Sequence, residues 1–201
     1  MKKVLALLFC TMVVVLGVLL TIYFKKDKVQ SNVSKEVDGI KITVKGTRSE
    51  PVKGDSNEDG SPNSSGEFFT LGEDILLASS YEYKIVDVLV ENNNDKPIKL
   101  FQTGWNAVNT SEYEFENIEV TGKLDNQQVE PGESFDAQVK IPVEHALEVK
   151  ELKLKYNLKD YSNLPNVLED ALNGLSVEDA QKKYPELYID NWIELGTIKF
   201  E

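Results

Sequence analysis

The sequence YEYKIVDVLVENNNDKPIKLF, residues 81–101, decides the fold class of this chain. Residues 81–91 carry apolar side chains on both faces of an extended backbone, which is typical of a β-strand covered on both sides. These side chains are Val86, Val88 and Val90 on one face and Tyr83, Ile85 and Leu89 on the other. Turn-forming residues follow at 92–97, so the stretch predicts a central strand that continues into a β-hairpin.

Other segments alternate apolar and polar side chains with the same period of two. They are residues 38–46, 135–141, 152–158 and 192–200. In the last of them the phase shifts near Gly196, as a β-bulge produces. Short strands with turns between them and no alternating helices predict a mainly β chain that folds as an antiparallel sandwich.

Residues 161–190 interrupt this pattern with helical spacing. Pro165 suits the first turn of a helix, and Gly174 is placed to end it. Ser176 begins a second helix, with Asp179 approximating the last position of a capping box. The sequence therefore predicts a short two-helix insertion before the last strand.

Two stretches carry a resemblance to a known family. They are residues 85–101, IVDVLVENNNDKPIKLF, and residues 129–157, VEPGESFDAQVKIPVEHALEVKELKLKYN. They resemble the small immunoglobulin-like domains of unknown function in membrane-anchored proteins and lipoproteins of Gram-positive bacteria. The likeness spans about residues 38–158 and implies an extracytoplasmic immunoglobulin-like β-sandwich without a known catalytic residue.

An uncharged run at residues 4–24, VLALLFCTMVVVLGVLLTIYF, lies between lysines on both sides. At about 1.5 Å per residue it spans the roughly 30 Å of a bilayer core, so we expect an N-terminal transmembrane helix that acts as an uncleaved signal anchor. A lipoprotein signal does not fit, because Phe9 precedes Cys10. Flanking charge leaves the orientation open, and the long trailing domain favours an extracytoplasmic C-terminus.

These features divide the chain into an anchor with basic flanks at residues 1–28, a flexible stalk at 29–37 and the sandwich at 38–201. The chain has 34 acidic and 22 basic residues and a net charge of −12, which disfavours binding to nucleic acid. Cys10 is the only cysteine. The sandwich therefore has no disulfide and depends on its core for stability.

A polar stretch at residues 48–66 is rich in Gly, Ser, Asn and Asp and is expected to be a disordered acidic loop. Within it Asp55, Asn57, Asp59 and Gly60 match the first half of a calcium-binding loop. The second half is absent, since Gly66 occupies the position of the bidentate glutamate. A solvated loop and a weak calcium site are the two interpretations. The sequence indicates no cofactor other than calcium.

Aromatic residues are dense in and beside the insertion. Tyr184, Tyr188 and Trp192 lie there, and Trp105 follows the hairpin. One interpretation is that they pack the insertion against the sandwich. The other is that they bind a protein partner.

A catalytic set is not apparent. His145 is the only histidine and is expected in a turn, and acidic pairs are frequent by chance in so acidic a chain. We expect no enzymatic activity. The leading hypothesis is a membrane-tethered extracytoplasmic module that binds or scaffolds another protein or a cell-envelope component. A calcium- or solute-sensing envelope domain is the alternative, followed by a carboxylate-dependent hydrolase of envelope polymers.

Overall fold

The structure is a computed structural model that describes residues 33–159, 161 and 163–200. Its strands are β1 (Ser34–Val37), β2 (Ile40–Pro51), β3 (Phe68–Leu71), β4 (Asp74–Leu77), β5 (Tyr81–Asn92), β6 (Ile98–Lys99), β7 (Trp105–Asn109), β8 (Glu114–Phe115), β9 (Glu119–Val120), β10 (Gln128–Val129), β11 (Ser134–Glu144), β12 (Glu151–Asn157) and β13 (Trp192–Lys199). The helices are α1 (Leu164–Leu172) and α2 (Val177–Lys183).

Two antiparallel sheets form the body of the fold. The first has the strand order β1-β2-β5-β11-β9, and the second has the order β13-β12-β7-β8. Strand β5 pairs with β2 on one side and β11 on the other, with Val88 opposite both Val44 and Ala137. The prediction of a central strand at residues 81–91 is confirmed.

The main core lies between the two sheets, as in a β-sandwich. It combines Ile42 and Val88 of the first sheet with Leu154 and Ile193 of the second, all nearly inaccessible to solvent. Each such side chain contributes roughly 1.5–3 kcal/mol by burial. The mainly β, antiparallel sandwich expected from the alternation is confirmed.

Trp105 belongs to this core, because it is only 6% exposed and its ring centroid lies 5.0 Å from that of Tyr156. The hydroxyl of Tyr156 accepts a hydrogen bond from the Phe101 N–H at 2.9 Å and donates one to the Phe101 carbonyl at 3.3 Å. A Cβ at Gly104 would lie 2.5 Å from the Tyr156 ring, so glycine permits this close packing. The expectation of a partner contact at Trp105 is corrected: the indole fills the core.

The stalk expected at residues 29–37 is also corrected, because Ser34–Val37 form β1 and pair with β2. Asp38 and Gly39 make the turn with φ values of 45° and 68°. An Asp-Gly pair with both φ angles positive favours a tight two-residue hairpin. Val33 and Val37 pack against the main core, so the described body starts before Asp38.

The stretch at residues 48–66 is not the disordered loop that its composition predicts. Residues Arg48 to Pro51 continue β2, and the backbone N–H of Asp55 donates to the carbonyl of Phe68 at 2.7 Å. A second, smaller core covers the outer face of the first sheet and orders this region. Its members are Val52, Phe69 and Ala78, with Leu71, Leu76, Tyr81 and Tyr83 packed against them.

The two-helix insertion lies between β12 and β13, as predicted. The Ser176 hydroxyl caps α2, since its oxygen accepts from the Asp179 N–H at 3.2 Å and donates to the Asp179 carboxylate at 2.7 Å. The bulge predicted near Gly196 is also confirmed, because the β12–β13 register shifts opposite it. Within the residues that the structure describes, no helix is long and apolar enough to cross a bilayer, and the anchor expected at residues 4–24 lies outside them.

Candidate binding cleft

A cleft of about 770 Å³ opens at one end of the sandwich. Five separate parts of the chain line it: Asp38 and Ile40; residues 94–99 and 101; Asn126 and Gln128; residues 158, 159, 161, 164 and 165; and Asn191. Its volume falls within the range of small-molecule binding sites in proteins. This cleft is therefore the candidate binding site.

The first wall is the β5–β6 turn, which Asn92 holds in place. Asn92 is 1% exposed, and its amide nitrogen donates to the carbonyls of Lys96 and Val129, both at 3.0 Å. Its amide oxygen accepts from the N–H of Asn94 at 3.0 Å. These three hydrogen bonds fix the turn against β10, because breaking any of them would leave a buried polar group unpaired.

The second wall joins the β1–β2 turn to the start of β13. The Asn191 amide nitrogen donates to the Asp38 carboxylate at 2.5 Å, and the Asn94 amide nitrogen donates to the Asp38 carbonyl at 2.7 Å. The backbone N–H of Asn191 donates to the Asn157 side chain at 3.0 Å. Asp38 therefore connects the β1–β2 turn to two distant segments.

The third wall is aromatic. The rings of Phe101 and Tyr161 meet edge to face, with centroids 4.8 Å apart and an interplanar angle of 66°. The Lys99 ammonium lies 5.8 Å from the Phe101 centroid, within the range of a cation–π contact. This wall combines apolar ring surface with a cation at its edge.

Charges of both signs line the cleft: Asp38 and Asp95 are acidic, and Lys96, Lys99 and Lys159 are basic. Lys159 pairs with Asp190 at 3.1 Å, and the pKa of Asp190 is lowered by hydrogen bonds from Asn157 and Lys159. Lys96 has no ion pair among the described residues, and Asp95 is its neighbour in the chain. The cleft therefore combines apolar surface with acidic and basic groups in nearly equal number.

Apolar surface continues from the cleft along α1. Leu164 lines the cleft, and Leu168 and Leu172 follow at four-residue spacing on the same side of the helix. Their exposure rises from 40% to 58% and 90%. The described part of α1 contains no buried residue, so this face is open to solvent.

The structure does not gather the predicted partner-binding aromatics into one surface. Tyr184 is 8% exposed, and its hydroxyl donates to Asp170 at 2.6 Å, a bond that raises the pKa of Tyr184. Trp192 is half-buried beneath the Lys155 ammonium, 3.9 Å from the ring centroid. Tyr188 is exposed. Tyr184 thus packs the two helices together, and only Tyr188 and Trp192 keep surface for a partner.

The predicted calcium ligands bond within their own loop. The Asp59 carboxylate accepts from the N–H and hydroxyl of Ser61 at 3.0 and 2.7 Å, which lowers the pKa of Asp59. The Asn57 amide donates to Ser61, and Asp55 accepts from Ser56. No group of three or more His, Cys, Asp or Glu side chains suited to a metal occurs in the described part of the chain. Calcium binding stays a prediction.

His145 begins a short 3-10 turn between β11 and β12, which agrees with its predicted place in a turn. In the acidic pairs Glu112/Glu114 and Glu116/Glu119, Glu119 accepts a hydrogen bond from the Tyr83 hydroxyl at 2.6 Å, and Glu114 accepts one from Asn106. Burial, followed by the bond to Glu119, raises the pKa of Tyr83. These carboxylates are therefore engaged in contacts that support the fold.

Sequence reasoning missed the cleft residues. Residues 92–97 carried a signal as turn formers, but nothing in the sequence brought them next to Asn126 or Tyr161, whose positions depend on long-range packing. The resemblance implied no site residue.

No family model matches this chain, and no curated protein matches it either. Solved structures with a similar fold include the yjhA protein of Bacillus subtilis, with 14% identity, a TM-score of 0.48 and coverage of 84% of this chain and 96% of that one. An uncharacterised β-sandwich protein from Clostridium difficile 630 has 14% identity and a TM-score of 0.39 over 61% of this chain and 82% of its own.

A candidate lipoprotein, ycdA, from Bacillus subtilis strain 168 has 12% identity and a TM-score of 0.40 over 66% of this chain. The chain spans only 35% of the length of that protein. The Clostridium difficile neighbour is thus described as a β-sandwich protein and ycdA as a candidate lipoprotein, both from Gram-positive bacteria.

Proposed function

We propose that this chain is a non-catalytic binding module that uses the cleft to bind a component of the cell envelope. In this proposal residues 4–24 anchor the chain in the membrane, and the immunoglobulin-like sandwich lies on the extracytoplasmic side. The apolar run and its basic flanks support the anchor.

The observation that carries the proposal is the construction of the cleft. Its walls are fixed by buried or short hydrogen bonds from Asn92 and Asn191, so little ordering is required when a ligand enters. A site formed in advance loses less conformational entropy on binding and keeps more of its contact energy.

The chemistry of the cleft supports binding rather than turnover. Its polar side chains are amides, lysines and the carboxylates of Asp38 and Asp95, and the Asp38 carboxylate accepts a hydrogen bond from Asn191. General acid–base catalysis needs a titrating group positioned to exchange a proton. The groups that line the cleft serve recognition more readily.

A photo-crosslinking experiment tests the proposal. A photoreactive phenylalanine analogue replaces Leu164 at the cleft in the full chain, expressed in its own host cells. The matched control carries the analogue at Tyr113, which is 54% exposed in the β7–β8 turn at the other end of the sandwich. We expect an adduct with an envelope component from position 164 only. The same adducts from both positions, or none from position 164, would overturn the proposal.

A further inference from the structure

We propose that the ligand of the cleft is a saccharide. This inference rests on the proposed function and adds the chemical class of the ligand. Three features of the cleft carry it: a mixture of free hydrogen-bond donors and acceptors, an accessible aromatic ring, and acidic and basic groups in nearly equal number.

The cleft offers acceptors and donors side by side. The amide nitrogens of Gln128 and Asn191 donate to Glu130 and Asp38, respectively. The amide oxygens of Gln128 and Asn191 are therefore left as acceptors toward a ligand. The Asn126 amide and the Lys96 ammonium have no hydrogen-bond partner within the described residues and act as donors. Each sugar hydroxyl both donates and accepts, so a hydroxyl-rich ligand can satisfy this mixed set.

The aromatic wall suits the other surface of a sugar ring. Lys99 lies over Phe101, and the hydroxyl of Tyr161 has no partner among the residues described. The face of an aromatic ring carries partial negative charge, and the C–H groups of a pyranose carry partial positive charge. Tyr161 can therefore pack against a sugar ring while its hydroxyl bonds to a neighbouring sugar oxygen.

The electrostatics of the cleft disfavour ligands of other classes. Asp190 pairs with Lys159, and Asp38 and Asp95 line the cleft together with Lys96 and Lys99, so the site lacks the excess of positive charge that a polyanion requires. An apolar ligand would leave the Asn126 amide and the amide oxygen of Asn191 without partners when it displaced water. A neutral or weakly charged saccharide meets both conditions.

Titration calorimetry on the full chain tests the inference. The chain is held in lauryldimethylamine oxide, a detergent without a sugar headgroup, and the probes are tetra-N-acetylchitotetraose, cellotetraose and a tetramer of galacturonic acid. We expect at least one of the two neutral tetramers to bind with a Kd of about 0.1–1 mM, and the polyanionic galacturonic acid tetramer to bind more weakly than that neutral tetramer. Tyr161→Ala should weaken binding by about tenfold or more, and Asn126→Gly by several-fold, roughly 1 kcal/mol by the same relation. Glycine at position 126 preserves the positive φ of 56° that an alanine would strain.

Matched variants separate recognition from folding. Tyr161→Phe keeps the ring and should retain most of the affinity, and Tyr113→Ala removes an exposed tyrosine far from the cleft and should change nothing. Far-UV circular dichroism checks that each variant is folded. Absence of saturable binding for both neutral tetramers up to about 10 mM, or full affinity in Tyr161→Ala, overturns the inference. An envelope component crosslinked from position 164 without saccharide binding overturns the inference alone, and failure of the crosslinking experiment overturns the proposed function on which the inference rests.

Discussion

Asn92 is the buried polar residue that joins three segments of the chain beside the cleft. Replacing it with alanine leaves the carbonyls of Lys96 and Val129 and the N–H of Asn94 without these bonds. We expect Asn92→Ala to lower the free energy of unfolding by about 2–4 kcal/mol. Urea denaturation measures this loss. The matched control is Asn93→Ala at the exposed neighbouring position, where a change within about 0.5 kcal/mol is expected. Equal losses in the two variants would contradict this account of Asn92.

Ionisation of Tyr156 should lower the stability of the sandwich at alkaline pH. Burial is the main cause that raises its pKa from the ordinary 10.0 to about 12. Because the folded protein favours the neutral phenol, this contribution is fully present below pH 10.0 and is lost as the pH rises through about 12. The loss is about 3 kcal/mol.

The free energy of unfolding, measured with urea across this alkaline range, checks the prediction for Tyr156. Tyr156→Phe loses the hydrogen bonds to Phe101 and is less stable at neutral pH. Its stability should nevertheless decline less steeply with alkaline pH than that of the unmodified chain. Tyr83, whose pKa is also raised, leaves a residual decline in both proteins. Parallel declines in the two proteins would show that Tyr156 does not cause the effect.

Among the secondary-structure elements, the two-helix insertion is separable from the sandwich. None of the described residues between 161 and 190 belongs to the main core, and Asn157 pairs directly with Trp192 across the base of the insertion. We expect replacement of residues 159–190 by a short Gly-Asn turn to leave a cooperatively folded sandwich. Its free energy of unfolding should fall by less than about 2 kcal/mol, because the deletion removes few buried contacts.

Urea denaturation and far-UV circular dichroism test this deletion, which should also remove the helical contribution to the spectrum. Non-cooperative unfolding of the deletion variant would mean that the insertion forms part of the fold's stable core.

The strands that sequence could predict are those that bury one or both faces in the main core. The alternation in β2, β5, β11, β12 and β13 records that burial directly. The missed elements depend on contacts distant in the chain. Tyr81 and Tyr83 pack against the small core that includes Phe69 of the β3–β4 hairpin and Val52. The composition of residues 48–66 does not indicate this packing.

For the molecule as a whole, the cleft is even harder to predict from sequence, because it depends on contacts between distant parts of the chain. Its lining comes from segments as far apart as Asp38 and Asn191. The sequence predicted the turn at residues 92–97 and the insertion, which both contribute to the lining. It did not predict that these two segments lie side by side. The aromatic residues selected from the sequence were those of greatest local density, and two of them, Trp105 and Tyr184, are buried for packing.

The proposed anchor at residues 4–24 allows two orientations of the chain, which place the body on opposite sides of the membrane. Lysines flank residues 4–24 on both sides, so charge alone does not decide which end is exported. We expect the body to lie outside the cell, because a long trailing domain is translocated largely regardless of its charge. Cys10 is the only cysteine, which allows a single-site labelling experiment.

In a Cys10→Ser background, Lys150→Cys places one thiol in the exposed loop between β11 and β12. A membrane-impermeant maleimide added to intact protoplasts should label this chain as fully as it does after lysis. The background chain without the new cysteine controls for other thiols. Labelling only after lysis would place the body in the cytoplasm. A membrane-free chain that starts after Phe24 would show that the apolar run is removed rather than retained as an anchor. Either result would remove the envelope from the proposed function, because a body inside the cell or released from the membrane has no fixed position beside an envelope ligand.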